Sequence, residues 1–400
     1  MLMPGYLSAN AASHTLESAS LVYEIVQSPD RFRQLEHQWQ SLWAGTKESV
    51  FQSYYWVEAW WSATAMDSKL HVAVAWCDES IVAILPFVVR RWRGARILEW
   101  AAQAVSDYCC ALTEHPGTLR QLWDVVKKNG GFDIVRLKNV PPGSPTAEVL
   151  GGAIKHKVAA DPCLSLTRQW ANGDDWFRNL NKKKRNNWSR SSRMLAGSGE
   201  LTFHRLVNRP GSELLERLVE MKRQNLAANG LEPSCDAAML ASLVSALEKV
   251  QALRIFLATC DGNIVAASIN AAQGSSLLAY FAVYDAKYAR ASPGILLMTE
   301  YTKWAFDAGL TVVDYLRGEE SYKFEFANRI IRLDTYIEAT TFIGDASWTL
   351  HRMWQAGRRV ITPQPLPRQP EIGSAYATKA GTRRVVSMRP EQSAEPVTMN

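Results

Sequence analysis

The residues of this chain best suited to chemistry lie in two short runs, Tyr284–Leu297 and Asp314–Lys323, with an amphipathic helix between them. In the first run, Ser292 has the side chain of a helix N-cap, Pro293 suits the first helical position, and Gly294 leaves the N–H groups of the first turn open. Free N–H groups at the positive end of a helix dipole bind anions, and the absent Cβ of Gly294 lets a phosphate come close. The run therefore predicts a site for a diphosphate-bearing donor, with Arg290, Ser292, Pro293, Gly294, Ile295 and Leu296 around it. The second run gathers Asp314, Arg317, Glu319, Tyr322 and Lys323, which are carboxylates, cations and a phenol within ten residues.

These runs need a large scaffold, and the composition supplies one. Four hundred residues with 47% hydrophobic content and 15 Trp predict two domains. The longest apolar run, Ile81–Val89, contains Pro86 and is far shorter than the roughly 20 residues a membrane span requires. Residues 1–20 have neither the basic start nor the apolar block of a signal peptide, so the expected location is cytoplasmic. Six cysteines without CxxC spacing and seven histidines without HxxxH or HExxH predict reduced thiols and no metal site. The net charge of +6 is concentrated at the C-terminus, where Gln355–Asn400 holds seven Lys/Arg against three Asp/Glu. This proline-rich tail has few large apolar residues. It is expected to be disordered and to contact an acidic surface.

Hydrophobic periodicity predicts two similar halves. The first reads as strand Leu21–Val26, helix Asp30–Ala44, aromatic helix Phe51–Ala63, hairpin strands His71–Cys77 and Ile81–Arg90, strand Ile97–Trp100, helix Thr118–Lys128 and strand Phe132–Leu137. A rigid turn at Pro141–Pro145 then starts a last helix. The second half reads as a basic helix Asp174–Met194, strand Leu201–Leu206, helix Ser212–Asn229 and hairpin strands Leu253–Thr259 and Ile264–Asn270 around Asp261-Gly262. This hairpin signal is strong, because a type I′ turn needs positive φ at both centres. Strand Ser276–Val283, the helix from Pro293, strand Thr311–Leu316, a short helix near Glu320–Phe326 and strand Asp334–Thr340 follow. Strands and helices interleaved around antiparallel hairpins give a mixed α/β class.

This element order, with a Ser-Pro-Gly helix start and a Gly318-Glu319…Tyr322-Lys323 segment after the next strand, resembles the acetyltransferase domain of the CelD/BcsL type in the GNAT superfamily. Phe51-Gln52-Ser53, Trp56, Trp60-Trp61, Ser106-Asp107-Tyr108 and the basic helix around Lys182–Arg193 are similar to landmarks of the same family. The resemblance runs from about Leu21 to Thr340, and two-lobed Fem-type proteins resemble it too. It implies two tandem GNAT-like lobes with the acyl-CoA N-acyltransferase fold. The expected division is a disordered N-terminus at 1–20, a lobe at 21–165, an acetyltransferase lobe at 166–345, and a short helix with a disordered tail at 346–400.

The implied activity is acyl transfer, with acetyl-CoA or another acyl-CoA as donor and no metal. The implied acceptor is an amine or hydroxyl of a saccharide, glycan-precursor or cell-envelope compound, and the family naming links it to exopolysaccharide or cellulose synthesis. The usual Arg/Gln-x-x-Gly-x-Gly/Ala loop is absent, since Arg290–Ile295 has one glycine out of register. Acetyl-CoA thus follows from the resemblance and not from a matching loop.

Such a reaction needs a proton taken from the acceptor, an oxyanion stabilised and a leaving group protonated, without a covalent enzyme intermediate. Backbone N–H groups of Ser276–Val283, including Phe281 and Val283, would hold the acyl carbonyl in the GNAT manner. Tyr322 stands where the family often places its proton donor. Asp314, Glu319 and Asp107 are candidate bases, and Lys323 or Arg317 would bind an anionic acceptor. Asp314 and Asp107 also read as cap or turn residues, and Tyr322 as a packing ring. Asn181–Arg193 puts six cations in thirteen residues, which suits a solvated helix or phosphates of a donor or of tRNA. No DNA-reading module is present. The alternatives are a Fem-like aminoacyltransferase that engages tRNA and a non-catalytic adaptor of a polysaccharide-synthesis complex.

Overall fold

The computed structural model describes residues 20–64, 68–154, 156–227, 230–231, 233 and 235–361. The disorder expected at the N-terminus and in the basic tail falls on residues 1–19 and 362–400, outside the described ones. In chain order the elements are β1 (Leu21–Val26), α1 (Pro29–Gln34), α2 (Glu36–Gly45), α3 (Tyr54–Thr64), β2 (Ser68–Leu70), β3 (Val72–Cys77), β4 (Ser80–Leu85), β5 (Phe87–Trp92), β6 (Ala95–Trp100), β7 (Leu112–Thr113), α4 (Pro116–Asn129), β8 (Ile134–Val140) and α5 (Pro145–Ala153). There follow β9 (His156–Thr167), α6 (Gly173–Asn179), α7 (Lys182–Ala196), β10 (Leu201–Leu206), α8 (Ser212–Ala227), α9 (Ala237–Lys249), β11 (Leu253–Cys260), β12 (Asn263–Gln273), β13 (Ser276–Tyr284), α10 (Pro293–Asp307), β14 (Val312–Arg317), α11 (Ser321–Phe326), β15 (Arg329–Ala339) and α12 (Phe342–Ile361).

They form two compact units. One runs to Ala160 and resumes at Arg332; the other runs from Asp161 to Ile331. The strand expected to close the second half, β15, pairs from Asp334 onward with β8 and so belongs to the first unit. The expected helix within 346–400 begins earlier, at Phe342, and is twenty residues long.

The first unit holds a four-stranded sheet in the order β1-β3-β4-β7 and the strands β15-β8-β6-β5-β2. The single strand expected over Ile81–Arg90 is interrupted at Pro86, which offers no N–H to a ladder, so β4 and β5 enter different sheets. The helix expected over Asp30–Ala44 likewise breaks at Leu35 into α1 and α2. Phe87, Trp100, Leu122, Trp123 and Tyr336 build the core here.

Among the described residues, three carboxylates are buried in this unit with cationic partners: Asp334, which pairs with Lys157 at 2.8 Å, Asp133 and Glu99. Asp133 accepts two bonds of 3.0 Å from the Arg96 guanidinium, which hold its carboxyl down to about 2. Glu99 receives Arg90 and Arg136; burial would raise its carboxyl, but the two guanidiniums keep it below the usual range. His71 differs, because it is buried at 2% exposure beside Phe132 and, among the described residues, has the neutral Gln27 amide and no charged group as partner. Desolvation lowers its imidazole to about 4.

Because the folded pKa lies below the unfolded value of about 6.5, the folded state binds the proton less well than the unfolded state. This contribution to stability is complete above about pH 6.5 and is lost as pH falls toward 4, amounting to about 3 kcal/mol. In urea denaturation, wild type is expected to lose more stability between pH 7 and pH 4.5 than His71→Phe. Parallel losses in the two proteins would remove His71 as the source.

The second unit orders its strands β10-β11-β12-β13-β14-β9, antiparallel except for β13 and β14. The predicted type I′ turn is present, with φ of 46° at Asp261 and 76° at Gly262. The basic helix expected over Asp174–Met194 is two helices, because Asn181 starts a new one by accepting from the Lys184 N–H at 2.9 Å. Strands β2, β7 and β9 and helix α9 are additions to the expected elements. The six cysteines carry free thiols. No described helix is long and apolar enough to cross a membrane.

Candidate active site

The parallel pairing of β13 with β14 is short: Ser276 faces Val312, Leu277 faces Val313, Leu278 faces Asp314, and the pairing ends. A bulge on the other edge of β13 coincides with the end. Leu278 faces Ala271 and Phe281 faces Ile269, so Ala279 and Tyr280 together oppose Asn270. One extra residue bends a strand and increases its twist, which turns β13 away from β14 and opens a wedge between them.

The register decides which backbone groups line this wedge. Asp285 N–H bonds the Val265 carbonyl at 2.9 Å, so by antiparallel alternation Val283 and Phe281 also point their groups at β12, while Ala282 and Tyr284 point away from it. Phe281 and Val283, expected to hold the acyl carbonyl, have buried side chains and backbone groups turned into the ladder. That expectation is corrected to Ala282.

Two residues missed in the sequence reach the same edge from α8. Lys222 Nζ donates to the Ala282 carbonyl at 3.2 Å and stands over the Phe281 ring. The Asn225 amide pairs with both backbone groups of Tyr284, at 2.9 and 3.1 Å. These bonds leave the Ala282 N–H as the outward donor of the splayed segment. Lys222 and Asn225 are three apart on one helix face, but nothing in the local pattern links them to a strand about sixty residues away. Behind the bulge, Asn270 is fully buried and accepts from Ser268 Oγ at 2.7 Å, and its Nδ2 has no hydrogen-bond partner among the described residues.

The start of α10 differs from the expected cap. Residues Ala286–Ala291 form a 3₁₀ helix, and Ser292 adopts φ 47°, ψ 52° with no side-chain cap bond. In this left-handed conformation its carbonyl, not its hydroxyl, receives the N–H groups of Ile295 (3.1 Å) and Leu296 (3.2 Å). Pro293 occupies the first helical position as expected, and the Gly294 N–H stays outside these bonds. A Cβ at Gly294 would meet only the Tyr284 ring, at 3.7 Å. Arg290 and Ile295 are exposed, whereas Leu296 is buried at 1% exposure and can serve a ligand only through its backbone.

After β14 the chain is tied down tightly. Asp314 Oδ1 accepts the Leu316 N–H at 2.8 Å, and Leu316 has φ 59° where the register against β9 slips. Asp314 therefore braces a strand irregularity with one carboxylate oxygen, in keeping with its reading as a cap residue. Lys323 is 5% exposed; its ammonium donates to the Arg317 carbonyl at 2.7 Å and pairs with Glu320 at 3.1 Å, so it does not face an anionic acceptor. Gly318 lies between them with φ 138°, and a Cβ there would fall 2.1 Å from a Glu320 oxygen. Glu319 is exposed on this locked loop.

Tyr322 packs into the same core cluster as Tyr301 and Tyr315. Burial, and secondarily Glu320, pushes its phenol well above the ordinary value, so it stays protonated throughout the physiological range. On the basic helix, Lys184 donates to the Glu325 carbonyl and lies over Phe326, while Arg185 binds the Arg178 carbonyl at 2.7 Å. Lys182, Lys183, Arg190 and Arg193 remain exposed.

Asp107 belongs to the first unit, where the predicted landmarks meet. Gln52 Nε2 donates to the Tyr108 carbonyl at 2.7 Å, Trp56 Nε1 to Ser106 Oγ at 3.0 Å, and Asn139 Nδ2 to the Ser106 carbonyl at 2.9 Å. Asp107 is half-buried on this braced segment.

A family model described as Acetyltransferase (GNAT) domain matches residues 182–324. The match runs from α7 into the Tyr322 helix and marks that stretch as a GNAT-type acetyltransferase domain, which supports an acyltransferase enzyme. Compared by sequence with curated proteins, the chain finds no match. Among solved structures it is similar to the crystal structure of FemX, with 10% identity over 79% of this chain and 97% of that one and a TM-score of 0.54. It is also similar to L-PGS from Bacillus licheniformis, with 11% identity over 82% and 96% of the two chains and a TM-score of 0.52. At these identities the likeness is one of fold.

Proposed function

We propose that the chain, as an enzyme of the CelD/BcsL type in the cytoplasm, transfers an acetyl group from acetyl-CoA to an amine or hydroxyl of a saccharide or cell-envelope precursor. The observation that carries this reading is the wedge opened by the Ala279–Tyr280 bulge, with the Ala282 N–H on its edge. The donor set suits an acyl-CoA: a backbone N–H for a carbonyl, a helix start with an unbonded Gly294 N–H for a phosphate, and a neutral phenol for a sulfur. A bound acyl-CoA would supply an activated thioester. The Ala282 N–H donates to the carbonyl oxygen as the acceptor nitrogen or oxygen attacks the carbon. As the carbon–sulfur bond breaks, Tyr322 gives its proton to the departing thiolate and regains one from solvent. Glu319, the exposed carboxylate of the loop, takes the proton lost by the acceptor.

Isothermal calorimetry with acetyl-CoA, alongside mass spectrometry of the purified protein for coenzyme A species, tests the donor. Gly294→Val is expected to weaken acetyl-CoA by about five- to tenfold through loss of the helix-terminus interaction, with Gly294→Ala closer to wild type. Unchanged affinity in a folded Gly294→Val protein would place the phosphate elsewhere.

A second reading, an aminoacyl-tRNA donor, draws on the exposed Lys182, Lys183, Arg190 and Arg193 and on the fold likeness to FemX and L-PGS. Salt-sensitive retention of aminoacyl-tRNA together with no heat of acetyl-CoA binding would favour it over the first.

A further inference from the structure

The outer face of α12 reverses the usual pattern of a surface helix. Its inner side is seated on the first unit: a Cβ at Gly344 would lie 1.9 Å from the Asp133 carbonyl oxygen, Trp348 packs on Ala95, Ile97 and Ile134, and the His351 ring meets Trp92 at 4.8 Å. On the other side Phe342 is 87% exposed, Ile343 55%, Leu350 67% and Met353 67%. At 3.6 residues per turn these four, with Ala346, fall in one wedge of about 100°. A helix docked on its protein by one face ordinarily gives polar residues to water on the other, and this one gives a contiguous apolar stripe.

The charges around the stripe indicate what covers it. Arg352 is exposed on the flank between the stripe and the docked side, with Thr349 and Asp345 nearer the stripe, and Arg93, stacked on the Trp92 that His351 touches, is exposed at the turn below. The helix continues through Arg358 and Arg359 and carries one carboxylate, Asp345. The chain after it adds five Lys/Arg against three Glu. A second copy of the chain would set these cations against their own kind, whereas a layer of anionic headgroups meets each of them. A helix with bulky apolar residues on one face and arginines along the margin lies in the plane of a bilayer interface, and this one is not apolar enough to cross it.

We propose that α12 docks the protein on the surface of an anionic lipid bilayer, with Phe342, Ile343, Leu350 and Met353 entering the headgroup–acyl boundary and arginines meeting lipid phosphates. This inference is independent of the donor and acceptor assigned above.

The test is flotation of the full chain with vesicles of phosphatidylcholine containing about one third phosphatidylglycerol, against phosphatidylcholine alone. Binding is expected to the anionic vesicles, to fall as sodium chloride is raised toward 1 M, and to drop on the order of 10- to 100-fold in Phe342→Ser/Leu350→Ser. Both residues are exposed, so the variant should melt like wild type. Three results would overturn the proposal: no binding to anionic vesicles, binding that the double variant leaves unchanged, or a dimer seen by light scattering that the double variant dissolves while vesicles go unbound.

Discussion

Tyr322→Phe is expected to lower turnover by about 10²–10⁴-fold while leaving acetyl-CoA affinity within a factor of about two. This is the size of a general-acid contribution made only as the leaving group departs. The phenylalanine variant separates the two readings of this residue. The ring packs in the cluster with Tyr301 and Tyr315, and phenylalanine keeps that packing, so a residue that only fills space would be replaced without cost. Burial keeps the phenol neutral, so the proton it would give is present across the working pH range. Steady-state kinetics on an identified acceptor, with calorimetry of the donor on the same preparation, checks both halves. Equal turnover of wild type and variant would return Tyr322 to the core, and a parallel fall in donor affinity would make it a binding residue.

The largest stability effect is expected in the first unit. Glu99 is 6% exposed and receives Arg136, whose side chain is 14% exposed, together with Arg90. Glu99→Leu removes the one carboxylate that compensates both guanidiniums. Removing one partner of a buried ion pair costs about 3–5 kcal/mol, because the other charge is left desolvated and unpaired. At about 2–4 °C per kcal/mol for a unit of this size, the melting temperature should fall by roughly 6–20 °C. Adding Arg136→Met to Glu99→Leu should recover part of that loss, since Arg90 is better solvated. A single variant that melts within about 2 °C of wild type would mean the triad contributes no net pairing.

Features governed by neighbours along the chain are legible in the sequence itself. The Asp261-Gly262 turn depends on the φ preferences of two adjacent residues, and Pro293 starts α10 because proline suits a position whose N–H would be unbonded anyway. The proximity of Tyr322 to the end of β14 at Arg317 follows from a five-residue spacing and needs no knowledge of packing. Gln52, Trp56 and Ser106–Tyr108 stand out in the sequence as family landmarks, but only the fold shows that they meet.

What the sequence alone leaves undecided rests on register and long-range contact. Strand periodicity shows that Phe281 and Val283 share a face, but only the pairing with β12 shows that their N–H groups are consumed there and that Ala282 faces the wedge. The bulge at Ala279–Tyr280 depends on which partner each residue meets across the ladder, and a one-residue change in that pairing would reverse the assignment. Lys323 carries a surface-type side chain, yet it is buried because the Arg317 carbonyl and Glu320 offer it partners in a loop shaped by Gly318. Lys222 and Asn225 escape a sequence reading for the same reason: a side chain on an exposed helix face carries no local mark of the strand it will reach once the chain has closed a loop of about sixty residues.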